Sequence, residues 1–286
     1  MQKKKLIHTW TSKASNLVQS DRENFWGLGD LLKGSNVLFE VCKALNIEYE
    51  LDISHHPIGT ISASSDIEGE SSSQHSVPFY SFKDMDDAKI KIAKLFENAG
   101  SLAFNSNGCT DWPAQSSLEW RELIQSKLQF ARDSNLSLGS GFSSSKYSVF
   151  HFRLGDRSLV RGQSRSVMRA LLAFARNREA SDVVISDSVR FKHLVRWFYP
   201  RVIVSEATPV HTGLAANNEL LLQTLQDFFL IANASSVKTF SEYVWASGFV
   251  VSACRVYDIP LTEIDRKSLR KTRRIKFVFN RIRDWF

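Results

Sequence analysis

The feature that most constrains the fold is a regular alternation of short apolar segments with longer amphipathic ones. In the second half, "YSVFHFR", "DVVISDS", "RVIVSE" and "SVKTFS" have the pattern of strands, and each precedes a stretch with apolar residues three and four positions apart. The first half begins the same way, with "KKLIHTW" and then the helical "DLLKGSNVLFEVCKALN". Strands that alternate with helices predict parallel sheets covered by helices on both faces.

The length of the chain indicates two domains, because 286 residues are more than most single cores contain. The Ser- and Gly-rich segment "SNLSLGSGFSSSK" is typical of a linker. We therefore predict one domain at 1–145, a second at 146–262 and a C-terminal tail at 263–286. Residues 57–78 are predicted as a long loop, and 242–258 as the last helix of the second domain.

The positive charge of the chain is concentrated in its tail. The net charge is +7, whereas Arg266 to Phe286 holds nine Lys/Arg and one Asp, so the remainder carries about 7 − 8 = −1. A nucleic-acid-binding protein usually has a basic folded domain, so nucleic acid is not an expected partner. Apolar residues recur in the tail at helical spacing, which predicts a basic amphipathic helix. Such a helix can lie on an anionic membrane or pack back onto the fold, and the pattern leaves both open.

Cysteine usage and the absence of long apolar runs indicate a cytoplasmic protein. The three cysteines, Cys42, Cys109 and Cys254, are far apart and have no metal-ligand spacing. No run approaches the roughly 20 apolar residues that cross a bilayer, and the basic start is not a secretory signal. We expect a reduced, cytoplasmic protein, with the tail as a means of peripheral attachment to the inner membrane surface.

The segment 147–156, "YSVFHFRLGD", carries two basic side chains to the end of a predicted strand. His151 and Arg153 share one face of this strand, opposite its phenylalanines. An arginine at the carboxyl end of a strand, next to the flexible Gly155, is well placed to make paired bonds with phosphate oxygens. The alternative is that Arg153 only pairs with Asp156 and ties the turn, and the spacing favours neither.

These residues resemble a known motif. His-x-Arg-x-Gly-Asp at a strand end, here His151, Arg153, Gly155 and Asp156, is similar to the nucleotide-binding motif of the GDP-fucose-dependent fucosyltransferases. This superfamily includes α1,2-, α1,6- and protein O-fucosyltransferases. Three more segments resemble parts of this family, in the same order along the chain. The segment "FWGLGDLLKG" is similar to the glycine-rich first loop, and "VVISDS" is similar to the strand whose terminal Asp binds the nucleoside. The segment "DFFLIANASSVKTFSEYVWASGF" is similar to the late donor motif.

The resemblance implies a GT-B fold, in which two Rossmann-like domains face each other across a cleft. The first would be the acceptor-side domain and the second the nucleotide-sugar-binding domain. It also implies an inverting transfer of fucose from GDP-fucose to a glycan, with no metal or other cofactor. The acceptor would be a polysaccharide, a lipopolysaccharide or a lipid-linked oligosaccharide.

By the same resemblance, Arg153 would hold the β-phosphate, and His151 and Asp187 would recognise guanosine. The other implied donor contacts are small residues. Three serines would lie near the pyrophosphate or the sugar: Ser235, Ser236 and Ser241. Gly27 and Gly29 would let the backbone of the first domain approach the donor.

The chain departs from the family where a catalytic base is expected. Core α1,6 enzymes carry a glutamate shortly after the arginine motif, whereas here no carboxylate occurs between Asp156 and Glu179. We predict Asp30 as the base and Asp111 as the second choice, with a helix N-cap as the alternative role for Asp30. A transferase with another nucleotide sugar and a non-catalytic nucleotide- or membrane-binding module remain alternatives, because a fold does not determine the donor.

Overall fold

A computed structural model gives the fold of the chain. It describes residues 3–10, 27–56, 58–59, 77–109, 111–136, 146–155, 163–179, 182–207, 218–243 and 246–266, and only the backbone of 130–136, 163–165 and 218. Several predictions lie outside the described residues, namely those for Asp156, most of the 57–78 loop, most of the linker and the tail beyond Arg266.

The first half forms a four-stranded parallel sheet. Its strands are β1 (Lys5–Thr9), β2 (Glu48–Asp52), β3 (Phe79–Phe82) and β4 (Ser101–Cys109). They lie in the order β2-β1-β4-β3, with every described pair parallel. The helices that belong to this sheet are α1 (Leu28–Ala44), α2 (Met85–Leu95) and α3 (Leu118–Leu136).

The second half forms a five-stranded parallel sheet. Its strands are β5 (Ser148–Arg153), β6 (Asp182–Ser186), β7 (Ile203–Val204), β8 (Ser236–Ser241) and β9 (Leu261–Glu263). Their order is β7-β6-β5-β8-β9, so β5 is central. The helices of this half are α4 (Gln163–Asn177), α5 (Val189–Phe198), α6 (Asn218–Ala232) and α7 (Gly248–Tyr257). The prediction of two parallel α/β sheets is confirmed.

The structure differs from the predicted elements in three places. The last helix begins at Gly248 rather than 242, because the Glu242 N–H still bonds the Arg153 carbonyl and so continues the strand pairing. The short strands β3 and β9 were not predicted. Both lie at sheet edges, where a few residues give too short a pattern to recognise.

One apolar core joins the two halves. It brings Trp10, Leu28 and Trp120 of the first half together with Phe228 and Val250 of the second. α1 and α3 provide this contact from the first half, and α6 and α7 from the second. Two other cores lie within single halves and hold the outer helices to each sheet. The halves are therefore packed together through helices.

α1 lies between the first sheet and α7 and is buried on most sides. At Gly34 it contacts the backbone of β4, where an added Cβ would stand 1.9 Å from the Ser106 carbonyl oxygen. Its N-terminal end contacts α7 of the other half. This central position fixes the segment around Gly27 and Gly29 against the second half. None of the helices in the described residues combines the length and the apolar character needed to cross a membrane.

Candidate functional site

The site is built at the carboxyl edge of the second sheet. In the register of the sheet, Phe152 pairs with Ser186 and Arg153 pairs with Ser241. Asp187 follows directly after Ser186, so three neighbouring strands deliver Arg153, Asp187 and Ser241 to one edge. Ligands of open α/β sheets bind at this edge, outside the carboxyl ends of the strands.

Asp187 holds Arg153 and the turn that follows it. The Arg153 Nη1 lies 3.0 Å from Asp187 Oδ2, and the two side chains are 29% and 13% exposed. The same carboxylate accepts the backbone N–H of Leu154 on Oδ1 at 2.8 Å and that of Gly155 on Oδ2 at 3.0 Å. A carboxylate has about four acceptor sites, and three donors occupy Asp187. Asp187 can therefore orient Arg153 and still offer one lone pair of Oδ1 to a ligand.

The alternative that Arg153 pairs with Asp156 falls on a residue outside the described part of the chain. In the described part of the chain, Arg153 forms an ion pair with Asp187. Asp187 comes from a neighbouring strand rather than from the same turn. The guanidinium is therefore tied to the sheet and not only to its own loop.

Gly155 lies directly against Tyr243 in this turn. Gly155 has φ +93, and a Cβ there would stand 2.5 Å from the Tyr243 hydroxyl oxygen. The Arg153 guanidinium carbon lies 5.9 Å from the centroid of the Tyr243 ring. A side chain at position 155 would meet both backbone strain and the tyrosine, so this position requires glycine.

His151 lies one step deeper than Arg153 and is buried. Its Nδ1 is 3.1 Å from Thr239 Oγ1, and its ring stacks on Phe249 with centroids 6.5 Å apart. Burial, and to a lesser extent the positive charge of Arg153, lowers the pKa of His151 to about 3. The imidazole is therefore neutral at physiological pH, and it shares the face opposite the phenylalanines, as predicted.

Two helix N-termini meet beside these residues. α1 starts after Gly27 and α7 starts after Ser247, and neither N-cap side chain bonds the first turn. A Cβ on Gly29 would stand 2.4 Å from the Gly248 carbonyl carbon, so the two helix ends are in backbone contact. Amides at a helix N-terminus carry partial positive charge and favour an anion.

The three predicted serines do not lie together. Ser241 is at the site edge, where its Oγ accepts the Tyr243 N–H at 3.1 Å. Ser235 and Ser236 are at the amino end of β8, and the Ser235 hydroxyl donates to the Tyr147 carbonyl at 2.8 Å. Five residues of strand, roughly 16 Å, separate Ser236 from Ser241. The structure therefore brings only Ser241 to Arg153.

Glu242 and Tyr243 are site residues that the sequence reasoning missed. The Glu242 N–H donates to the Arg153 carbonyl at 2.9 Å, and its Oε2 pairs with Arg169 of α4 at 3.1 Å. Among the described residues, the buried Glu242 Oε1 has no hydrogen-bond partner. The sequence contained evidence for this position, because both residues directly follow a strand whose carboxyl end lies at the ligand-binding edge of the sheet. They were missed because the segment 242–258 was predicted to be a helix.

The two predicted candidates for the base lie in the first half. Asp30 is half-buried in the first turn of α1, and the residue at the N-cap is Gly27. The alternative role of Asp30 as the N-cap is therefore wrong. Asp111 is exposed, two residues beyond the end of β4. Across the described ranges, no group of three His, Cys, Asp or Glu side chains is arranged to hold a metal ion.

The fold matches solved structures of a fucosyltransferase. The fucosyltransferase NodZ from Bradyrhizobium is 14% identical, with 93% of this chain and 96% of that chain covered and a TM-score of 0.55. NodZ alpha-1,6-fucosyltransferase co-crystallized with GDP is 15% identical with the same coverage and TM-score. The form soaked with GDP-fucose is 14% identical, with 92% and 96% covered and a TM-score of 0.55. The chain has the fold of NodZ.

The comparison covers both sheets, and it confirms the predicted GT-B architecture of two Rossmann-like units. No family model matches the chain, and no curated protein matches its sequence. The likeness to NodZ therefore lies in the arrangement of the elements. It places the edge that holds Arg153, Asp187 and Ser241 on the second unit of a GT-B fold.

Proposed function

We propose that this chain is a glycosyltransferase that transfers fucose from GDP-fucose to a glycan, with inversion and without a metal. The NodZ-like fold supports the transferase class, and the solved neighbours include forms with GDP and GDP-fucose. The motif at His151 to Gly155 supports a guanosine diphosphate donor. The acceptor class is a polysaccharide, a lipopolysaccharide or a lipid-linked oligosaccharide.

The observation that carries the proposal is the Arg153–Asp187 pair at the carboxyl edge of the second sheet. In glycosyl transfer the bond between the sugar carbon and the GDP oxygen breaks, and negative charge develops on the diphosphate. A fixed guanidinium next to the N-terminus of α7 stabilises that charge without a metal ion. His151 and the remaining acceptor site of Asp187 would then contact the nucleoside.

For the acceptor, we propose Asp30 as the base, with Asp111 as the second choice. The base would take the proton of the acceptor hydroxyl while its oxygen attacks the sugar carbon. Asp30 lies on the helix whose N-terminal end touches α7, so it approaches the donor side from the opposite half. Residues 266–286, nearly all outside the described part, would attach the cytoplasmic enzyme to the anionic inner membrane surface.

A thermal-shift comparison tests the donor assignment. GDP should raise the melting temperature of the parent, because a ligand that binds only the native state stabilises it, while UDP, ADP and CMP should not. Arg153→Lys keeps the charge but loses the paired geometry, and it should reduce the GDP shift strongly. Arg196→Lys on the outer surface is the matched control and should keep the full shift. An unchanged GDP shift in Arg153→Lys would exclude the phosphate role, and a UDP shift would indicate another donor.

A nucleotide-binding protein without transfer activity is the second candidate. The observation in its favour is that, in the described part of the chain, the two carboxylates next to Arg153 are already paired with arginines, Asp187 with Arg153 and Glu242 with Arg169. Such a protein would show the GDP shift but would not release GDP from GDP-fucose, with or without glycan acceptors. Detecting GDP release that depends on Asp30 would exclude this candidate.

A further inference from the structure

An exposed apolar surface lies on α5 and the edge strand β7. Six large hydrophobic side chains are exposed in the described part of the chain, and four of them are here, Val189, Trp197, Phe198 and Ile203, which are 52%, 58%, 40% and 53% exposed. We call these four residues the α5–β7 patch. Large apolar side chains gathered at one place on a surface indicate an interaction site.

The patch lies on the side of α5 that the core leaves exposed. Phe191 and Val195 form the inner face of α5 and are fully buried in the core of the second half. Val189 and Trp197 are eight residues apart and so share the outer face. The Trp197 and Phe198 rings are packed against each other, with centroids 4.8 Å apart. The helix therefore buries one stripe and presents a second, aromatic one to solvent.

The surroundings of the patch are basic. Between Ser188 and Val204 the sequence contains no Asp or Glu, and it contains Arg190, Arg196 and Arg201. The Arg178 guanidinium lies over the Tyr199 ring at 4.7 Å, next to Phe198 in the chain. The acidic Glu206 beyond β7 pairs with Arg196 at 3.4 Å. The segment that carries the patch is therefore basic, and Arg178 lies near its aromatic end.

We propose that the α5–β7 patch docks onto an anionic lipid surface. Aromatic side chains are enriched at membrane interfaces, where their rings lie at the level of the headgroups. Arginines beside them are attracted to anionic headgroups. Charge excludes two other occupants. The tail, with nine Lys/Arg and one Asp in residues 266–286, would meet a surface of its own sign, and so would a second copy of the patch.

The patch runs along α5 from the edge with the nucleotide site to the opposite end of the sheet. Val189 begins α5 two residues after Asp187. Ile203 pairs with Val183 at the amino end of β6, and Trp197 and Phe198 end α5 on the way back to that end. Arg153 and Asp187 lie at the opposite, carboxyl edge. A chain docked through Trp197, Phe198 and Ile203, the three patch residues towards the amino end, thus keeps Arg153 away from the lipid. The proposal is separate from the donor chemistry and from the tail.

Vesicle sedimentation of the full chain tests the proposal. Binding to phosphatidylcholine vesicles should require added phosphatidylglycerol. Trp197→Ser with Phe198→Ser should weaken binding at least about tenfold, because it removes roughly 100 Å² of apolar contact. Arg201→Ala should weaken it about fivefold, the effect of one basic residue near the surface. The matched control is Ile90→Ser with Leu118→Ser, which removes exposed apolar residues from the first half and should bind like the parent.

A second readout locates the contact directly. Brominated phosphatidylglycerol should quench part of the tryptophan emission, and Trp197→Phe should lose that part while it still sediments. If the chain with Trp197→Ser and Phe198→Ser sedimented with the vesicles to the same extent as the parent, the proposal would be overturned. The proposal would also be overturned if the only effect of Trp197→Ser with Phe198→Ser were to dissociate a dimer, measured by light scattering. That result would assign the patch to contact with a second copy of the chain. A lower melting temperature with unchanged vesicle binding would assign it to the tail and would also overturn the proposal.

Discussion

Gly29 of α1 lies directly on the Gly248–Phe249 peptide of α7. A Cβ on Gly29 would stand 2.4 Å from the Gly248 carbonyl carbon and 2.5 Å from the Phe249 nitrogen. Both neighbours are backbone atoms and cannot rotate away. Phe249 in turn stacks on His151, so this contact joins the first half of the chain to the candidate site of the second.

Gly29→Ala should therefore destabilise the protein and weaken GDP binding. The added methyl group has to separate two helix ends, and overpacking of this kind costs typically 1–3 kcal/mol. Urea unfolding gives the stability, and the thermal shift with GDP gives the affinity. Gly100→Ala is the matched control, because a Cβ at Gly100 meets nothing within 4 Å. If Gly29→Ala and Gly100→Ala behave alike, the backbone contact does not exist in solution.

The second sheet and its site edge could be predicted from the sequence because the local pattern and the tertiary position agree. β5 is the buried central strand of its sheet, and its carboxyl end carries Arg153, and then Gly155, to the edge where ligands bind. The partner of Arg153 could not be predicted. Strand order decides that Asp187 stands beside it, and strand order depends on contacts distant in sequence.

The same dependence on contacts distant in sequence explains why Glu242 and Tyr243 were missed and why Ser236 was grouped with Ser241. Ser236 and Ser241 are close in sequence, yet a strand carries them to opposite ends of the sheet. Glu242 and Tyr243 read as the start of a helix because the apolar spacing that follows is helical. The Glu242 N–H is instead bonded to the neighbouring strand, and tertiary pairing overrides the local pattern.

Asp187→Ala should impair both the fold and the nucleotide site. It removes the ion pair with Arg153 and leaves the N–H groups of Leu154 and Gly155 without their acceptor, at a cost of about 2 kcal/mol. Asp187→Asn keeps acceptor oxygen and should lose less stability, but it should still weaken GDP binding because Arg153 is released. Glu206→Gln, which breaks an exposed pair with Arg196, is the control and should change stability by less than about 0.5 kcal/mol. Full GDP affinity in Asp187→Asn would contradict the orienting role.

Gly155→Ala should reduce GDP binding through two separable effects. The φ of +93 disfavours any side chain by about 1–2 kcal/mol, and the new Cβ would also meet the Tyr243 hydroxyl. Combining it with Tyr243→Ala removes the collision but not the backbone strain. The double variant should thus be less impaired than the sum of the two single variants, measured by urea unfolding and GDP titration. Strict additivity would show that Gly155 and Tyr243 do not touch.

Acid should destabilise the protein because three histidines in the described part of the chain are buried in the neutral form. Burial lowers the pKa of His8 and of His151 to about 3 and that of His56 to about 4. The unfolded chain takes up protons below about pH 6.5, where the folded chain does not, so the free energy of unfolding should fall from pH 6.5 towards pH 4. Asp227 opposes this trend between about pH 6 and 4, because burial raises its pKa to about 6.

Each histidine contributes a slope of up to about 1.4 kcal/mol per pH unit, so replacing one should make the profile measurably shallower. His151→Gln removes the titrating group next to Arg153 and keeps a polar side chain that can reach Thr239. The parent, unfolded at the same pH values, is the reference. Urea unfolding at several pH values between 7 and 4 measures both. An equal slope in His151→Gln and the parent would mean that His151 is hydrated and titrates normally in the folded protein.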